Sequence, residues 1–274
     1  MSRFLNPEDY LEPVCIFCRP DQEQSRPVDL RRFLTKLDEH LGRRDYDAAR
    51  RHLDYWRAEA DSCNDLRGRI TIENEAMGLF RKIGLEDEAM EAAQTARSLL
   101  DRAGLTGTVT AATTALNIAT VHKRFGRPEQ ALALYEQAAA IYERNLAPED
   151  ERLGGLYNNM GLALTDLGRF DEARSLYEKA LAVMAKAPNG KPEMAITELN
   201  LANLWEAKLG LLEAESEIEG CLDRARALLE DPKTPRDGNY AFVCEKCAPT
   251  FGYYGRFADA RELEALAEEI YGRA

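Results

Sequence analysis

The chain has 274 residues, of which 45% are hydrophobic and 31% charged, and it carries a net charge of -12. The composition is that of an ordinary folded protein, while the negative charge argues against a general nucleic-acid or anionic-membrane binder, because either would need a positive field. The sequence contains no run of about eighteen apolar residues, so we expect no membrane-spanning helix.

The first 28 residues are predicted to be an irregular tail. They contain four prolines, and the opening stretch MSRFLNPEDYLEP lacks the apolar core of a signal peptide. We therefore expect a cytoplasmic protein whose six cysteines are reduced.

Beyond the tail, one phrase recurs along the chain. GRPEQALALYEQAA begins at Gly126, and GRFDEARSLYEKAL begins 42 residues later at Gly168. GLEDEAMEAAQTAR begins 42 residues before the first of these, at Gly84. Weaker copies begin at Gly210 and Gly255, and one copy at Arg44 lacks the glycine. A fixed interval of this length indicates a repeat protein.

Each copy predicts a helix, a turn with glycine and a second helix. Apolar residues fall at helical spacing on both sides of the turn, as in Tyr157, Gly161 and Leu164 before it and Ala173 and Tyr177 after it. One such hairpin cannot cover its own apolar surface, so neighbouring hairpins must stack. The sequence thus predicts an all-α repeat domain over 29–274, with units at about 29–67, 68–107, 110–147, 151–188, 193–231 and 239–273.

The pattern resembles the tetratricopeptide repeat family over roughly residues 29–272. The positions that carry the resemblance are Gly161, Gly168, Ala173, Tyr177 and Ala180. The period exceeds the family's usual length of about 34 residues, as in the kinesin light chain type and in ligand-sensing repeats of some bacterial regulators. The resemblance implies an α-solenoid, a right-handed superhelix, whose concave groove is lined by the first helices and binds peptides or partner proteins.

Asparagines mark the predicted groove. Asn158 and Asn159 lie off the core stripe of their helix, and the repeat places Asn117, Asn159 and Asn200 at equivalent sites. An amide both donates and accepts hydrogen bonds, so a ladder of amides suits the backbone of an extended ligand. Alternatively, the amides bridge adjacent first helices, and both roles can hold together. The same stripes include Asn74 and Asn203.

A basic cluster is predicted at the edge of this groove. Arg81 and Lys123 are one repeat apart, as are Lys82 and Arg124. Four cations at this edge favour an acidic segment or a C-terminal carboxylate. The alternative is that they are solvated residues at helix ends, where the helix dipole favours cations.

Two CxxC pairs, Cys15 with Cys18 and Cys244 with Cys247, have spacing suited to zinc. However, they lie at opposite ends of the chain, and the repeat places Cys244 and Cys247 at core positions. We therefore predict neither a metal site nor a cofactor. Whether the tail pair binds a metal, pins the tail or lies with it along the groove stays open.

The sequence contains no HExxH, GxxxxGK[ST] or GxGxxG motif, and His40 and His122 occupy a repeat site held in other units by Phe80, Leu164, Trp205 and Phe251. We therefore predict a non-enzymatic scaffold or adaptor that binds a protein or extended peptide segment, acidic segments included, and neither nucleic acid nor membrane. One alternative is a regulatory sensor module that acts with a separate effector. Another is a metal- or redox-responsive protein that uses the CxxC pairs.

Overall fold

The structure is a computed structural model, and it describes residues 26–273. Over that range the chain forms twelve α-helices and no β-strand. In chain order the helices are α1 (Leu30–Gly42), α2 (Tyr46–Ser62), α3 (Leu66–Ile83), α4 (Glu86–Ala103), α5 (Val109–Arg124), α6 (Pro128–Asn145), α7 (Glu151–Asp166), α8 (Phe170–Met184), α9 (Lys191–Leu209), α10 (Glu215–Glu230), α11 (Gly238–Tyr253) and α12 (Phe257–Arg273). This order of paired helices confirms the predicted all-α repeat architecture.

The turns within the hairpins explain the recurring glycine. Gly84 and Gly168 have φ angles of 79° and 72°, in the left-handed region that other residues rarely adopt. In the first hairpin, which lacks the glycine, Arg44 takes the same conformation with φ 55°. The α9–α10 turn is irregular, because four turn residues separate Gly210 from the start of α10 at Glu215.

Close approach between the helices of one hairpin explains the glycine at position 161 in the first helix of its hairpin. A Cβ added at Gly161 of α7 would lie 2.6 Å from the Tyr177 ring of α8. Tyr177 is fully buried, so the ring has no space into which it can move. Gly161 is therefore required by packing.

The described residues divide into two compact units, 26–142 and 143–273. In the unit 26–142, α3 packs against α2, α4 and α5. Its core contains Phe33, Leu53 and Met77, all of them buried. Thr113 of α5 shares a 2.7 Å hydrogen bond with the buried hydroxyl of Tyr142 in α6, which ties these two helices together.

In the unit 143–273, α9 packs against α7, α8, α10 and α11. Buried tyrosines join the helices within one hairpin and between two successive hairpins. The Tyr177 hydroxyl lies 3.4 Å from Thr165 Oγ1, and the Tyr240 hydroxyl donates to the carbonyl of Leu229 at 3.1 Å.

A buried carboxylate recurs at one repeat site in both units. Glu73 of α3 accepts from Arg57 at 2.7 Å and from Arg69, and Glu198 of α9 accepts from Arg224 at 2.8 Å. The Glu73 and Glu198 side chains are only 2% and 8% exposed, and their arginine partners offset the cost of burying a carboxylate.

None of the helices within 26–273 is both long and apolar enough to cross a membrane.

Candidate functional site

The first helices of the unit 26–142 bring together a set of polar residues that face away from the core. We call Asp38 of α1, Glu75 and Arg81 of α3, and Asn117 and Arg124 of α5 the first-helix surface. None of the five is fully buried. Packing of α3 against α5 sets Arg81 beside Arg124, and the charges of Asp38 and Glu75 also interact.

Asn74 and Asn117 form a bridge between α3 and α5. Asn117 Nδ2 donates to Asn74 Oδ1 at 2.8 Å. Asn74 Nδ2 in turn donates to the Ile70 carbonyl at 2.9 Å and to Thr114 Oγ1 at 3.1 Å. Asn74 is only 2% exposed, and both its N–H groups are used within the protein. The prediction that Asn74 contacts a ligand therefore does not fit the structure, because its amide is buried by helix stacking.

A second bridge joins α7 to α9 in the unit 143–273. Asn200 Nδ2 donates to Asn158 Oδ1 at 3.0 Å. Asn159, the residue that the repeat aligns with Asn200, instead donates to the Gly155 carbonyl of its own helix at 2.9 Å. Asn203 is exposed and accepts a 3.0 Å hydrogen bond from the Tyr254 hydroxyl. Asn117, Asn159 and Asn200 each donate one hydrogen bond from Nδ2 within the protein. Because all three are partly exposed, each retains capacity for further hydrogen bonds.

Arg81 is the most unusual cation of the predicted basic cluster. Burial lowers the pKa of its guanidinium, and repulsion from Arg124 lowers that pKa further. Among residues 26–273 no carboxylate forms an ion pair with Arg81. Lys82 and Arg124 are exposed, whereas Lys123 is half-buried and has contacts of its own. A partly buried cation without a counter-ion is costly, and a bound anion would offset that cost.

Asp38 and Glu75 form an acidic pair that the sequence analysis did not single out. Burial raises the pKa of Asp38 to about 6. Burial also raises the pKa of Glu75 to about 7, and the nearby charge of Asp38 adds to that rise. The repeat itself carried a signal, because Glu75 occupies the site that Asn117, Asn159 and Asn200 hold in later units.

The histidines of the described chain serve packing. His52 stacks on Phe33 with ring centroids 5.5 Å apart, and its Nε2 lies 2.9 Å from the Phe33 carbonyl. Burial lowers the pKa values of both His52 and His122, which disfavours the charged imidazolium of each ring.

The cysteines within the described range are buried or half-buried free thiols. Burial raises the pKa of Cys244 to about 11 and raises that of Cys247 further, which disfavours the thiolate that metal binding and redox chemistry require. Residues 26–273 contain no group of three or more side chains placed to hold a metal ion. Cys15 and Cys18 lie outside the described residues, so the predicted options for the tail pair remain predictions.

The stacked hairpins define a helical repeat protein of the α-solenoid class. The sequence model of the tetratricopeptide repeat matches residues 70–144 and 152–215, about half of the chain. The chain therefore belongs to the tetratricopeptide repeat family, as its sequence pattern predicted. No curated protein is similar enough to count as a relative.

Two solved structures illustrate the shared fold. The nearly identical TPR-like repeats of a kinesin light chain from Podosopora anserina match with a TM-score of 0.51 and 18% identity, over 75% of this chain and 96% of that one. PilW, a type IV pilus biogenesis factor, matches with a TM-score of 0.55 and 14% identity, over 90% of this chain and 96% of that one. At these identities the likeness extends to the fold alone. Repeat proteins of this family are typically non-enzymatic scaffolds that bind proteins or peptides.

Proposed function

We propose that the chain is a non-enzymatic cytoplasmic scaffold that binds an extended peptide segment of a partner protein on its first-helix surface. The observation that carries this proposal is the partly buried guanidinium of Arg81, which has no carboxylate partner among residues 26–273 and lies beside Arg124. A ligand carboxylate, from a side chain or a C-terminus, would supply the missing counter-ion.

The remaining groups of the first-helix surface extend this recognition. Asn117 keeps a free amide carbonyl for a backbone N–H of the ligand, because its hydrogen bond to Asn74 uses only one N–H. Asp38 and Glu75 offer a site for a lysine or arginine of the ligand, since a bound cation would favour their ionised forms. An acidic residue at Arg81 and a basic residue at Glu75 would fix the direction of the ligand.

In the unit 143–273, Asn158, Asn159, Asn200 and Asn203 are proposed as a second set of backbone contacts. Their partial exposure and the spare oxygen of Asn200 support this role. The regulatory-module alternative would use the same surfaces, and identification of the partner would reveal the effector.

The test is a selection from a displayed library of peptides with free C-termini, followed by titration of the enriched peptides. We expect enrichment of acidic sequences. Substitution of Arg81→Ala with Arg124→Ala should weaken binding of the enriched peptides at least about a hundredfold, since each charge-assisted contact is worth about 1.5–3 kcal/mol. The matched control is Arg102→Ala, which removes an exposed arginine from α4 and should leave affinity unchanged.

Two results would contradict the proposal. One is equal affinity of the enriched peptides for the wild-type chain and for the Arg81→Ala, Arg124→Ala variant. The other is a failure of the folded wild-type chain to enrich any peptide. Circular dichroism should verify that the wild-type chain and the variants are folded.

A further inference from the structure

Exposed hydrophobic side chains concentrate at two neighbouring turns in the unit 143–273. Of the seven large hydrophobic residues that are exposed among 26–273, five lie at the turns of the α9–α10 and α11–α12 hairpins. We call these five the turn patch: Leu209, Leu211, Leu212, Tyr253 and Phe257, which are 42%, 52%, 83%, 67% and 65% exposed, respectively. Single exposed hydrophobic residues are ordinary, but a cluster of them marks an interaction surface.

Hydrogen bonds hold the two turns side by side. The hydroxyls of Tyr253 and Tyr254 donate to the carboxylate of Glu206 in α9 at 2.7 and 2.8 Å. On the other side, Arg256 donates to Glu219 and Asp223 of α10, both at 2.5 Å. These bonds hold the α11–α12 turn against the end of α9 and the first turns of α10, so the two turns that carry the turn patch are neighbours.

The fold itself does not require these hydrophobic side chains. Leu212 and Phe257 follow the turn glycine by two residues, a site held by Glu86, Pro128 and the half-buried Phe170 in the other hairpins with a turn glycine, so the fold accepts polar as well as hydrophobic side chains there. The α9–α10 turn is also held without its leucine side chains, because Gly210 donates to the Glu206 carbonyl at 2.8 Å and Ala214 donates to the Gly210 carbonyl at 3.1 Å. The exposed leucines are thus available to a partner.

The charge around the turn patch is negative. Glu213, Glu215 and Glu217 are exposed, and within the described part of the chain none of the three has an ion-pair partner. The cations in the stretches 206–215 and 253–258 are already paired with carboxylates, since Lys208 pairs with Asp171 at 2.6 Å and Arg256 pairs with Glu219. A second copy of this chain would bring two acidic rims together, whereas a basic partner would complement the rim.

We propose that the turn patch binds a partner protein segment that presents apolar side chains flanked by lysine or arginine, as one face of a basic amphipathic helix does. The leucines and Phe257 supply the apolar contact, and Glu213, Glu215 and Glu217 supply the charge complementarity. The turn patch consists of other residues than the first-helix surface, and it prefers a positively charged rather than an acidic ligand. The two proposals can therefore be tested independently.

The test uses the full chain and two short synthetic helical peptides, one of leucine and lysine and one with glutamate in place of each lysine. Fluorescence anisotropy should show binding of the lysine peptide alone. The double substitution Leu212→Ser, Phe257→Ser should weaken that binding about tenfold or more, because hydrophobic anchors dominate such contacts. The triple substitution Glu213→Gln, Glu215→Gln, Glu217→Gln should weaken it by a similar factor and flatten its salt dependence.

The matched control is Tyr55→Ser, which removes a 61% exposed aromatic side chain from α2 and should leave the affinity unchanged. All substituted side chains are exposed, so melting curves should verify that each variant folds like the wild type.

Several results would overturn the proposal. If the lysine peptide binds the double serine variant as well as it binds the wild type, the attraction is only that of net charge. Equal binding of the two peptides, or no binding of the lysine peptide, would also exclude the proposed partner. A dimer in sedimentation that the double serine variant loses would assign the turn patch to a second copy of this chain.

Discussion

Asp38 and Glu75 are neighbouring carboxyl groups that are both poorly hydrated. Their burial makes the free energy of unfolding depend on pH. Their ordinary pKa values are 3.8 and 4.5, and burial raises these pKa values to about 6 and about 7 in the folded chain. Between the ordinary and the raised pKa of each carboxyl group, the folded state binds more protons than the unfolded state. The free energy of unfolding therefore decreases as the pH rises from about 4 to about 7.

The first prediction is that Asp38→Asn combined with Glu75→Gln stabilises the chain above neutral pH. The amides need no ionisation, so the free energy of unfolding at pH 8 should rise by several kcal/mol, whereas at pH 4 it should change little. Urea unfolding at both pH values measures the difference. Asp87→Asn, at an exposed site on α4, is the control and should shift neither value. An equal effect of the double variant at both pH values would contradict this account.

At the scale of the elements, the hairpins could be predicted because their causes repeat along the chain. Gly84 and Gly168 recur where the backbone must adopt positive φ, and Gly161 lies where a helix must approach Tyr177. Each of these requirements acts on a single residue type, so the period of the sequence reveals it.

The candidate site was less predictable, because it depends on the rotation of each helix about its axis. The repeat aligns Asn200 with Asn159, yet Asn200 bonds to Asn158, one residue or about 100° away around α7. A similar rotation buries Asn74 in its bridge to Asn117. The Asp38–Glu75 pair could not be predicted from the repeat, because its two members hold different repeat sites: Asp38 aligns with Gly78, and Glu75 aligns with Thr35.

Gly161 of α7 and Gly78 of α3 allow a pair of predictions with opposite effects on stability. Gly161→Ala should destabilise the chain by about 1–3 kcal/mol, because the added methyl group overlaps the buried Tyr177 ring. Gly78→Ala, in the interior of α3, should stabilise it by about 0.5–1 kcal/mol, because no atom lies within 4 Å of the added methyl group and alanine favours the helix. Thermal melting of the two variants measures both effects. The packing argument would be wrong if Gly161→Ala melted at or above the wild-type temperature.

At the scale of the whole molecule, a repeat protein is stabilised mainly by contacts between neighbours, so damage to one hairpin should stay local. The buried carboxylates Glu73 and Glu198 make this testable, because they hold the same repeat site in different units.

Glu73→Gln should weaken the hydrogen bonds from Arg57 and Arg69 by about 1–3 kcal/mol. Glu198→Gln should weaken the hydrogen bond from Arg224 by a similar amount. Hydrogen exchange followed by mass spectrometry should then show faster exchange in α2 and α3 for Glu73→Gln, and in α9 and α10 for Glu198→Gln. Because the two variants carry the same chemical change, each is the control for the other. Faster exchange throughout 26–273 in either variant would mean that the chain opens as one cooperative unit, and it would refute the neighbour-only account of its stability.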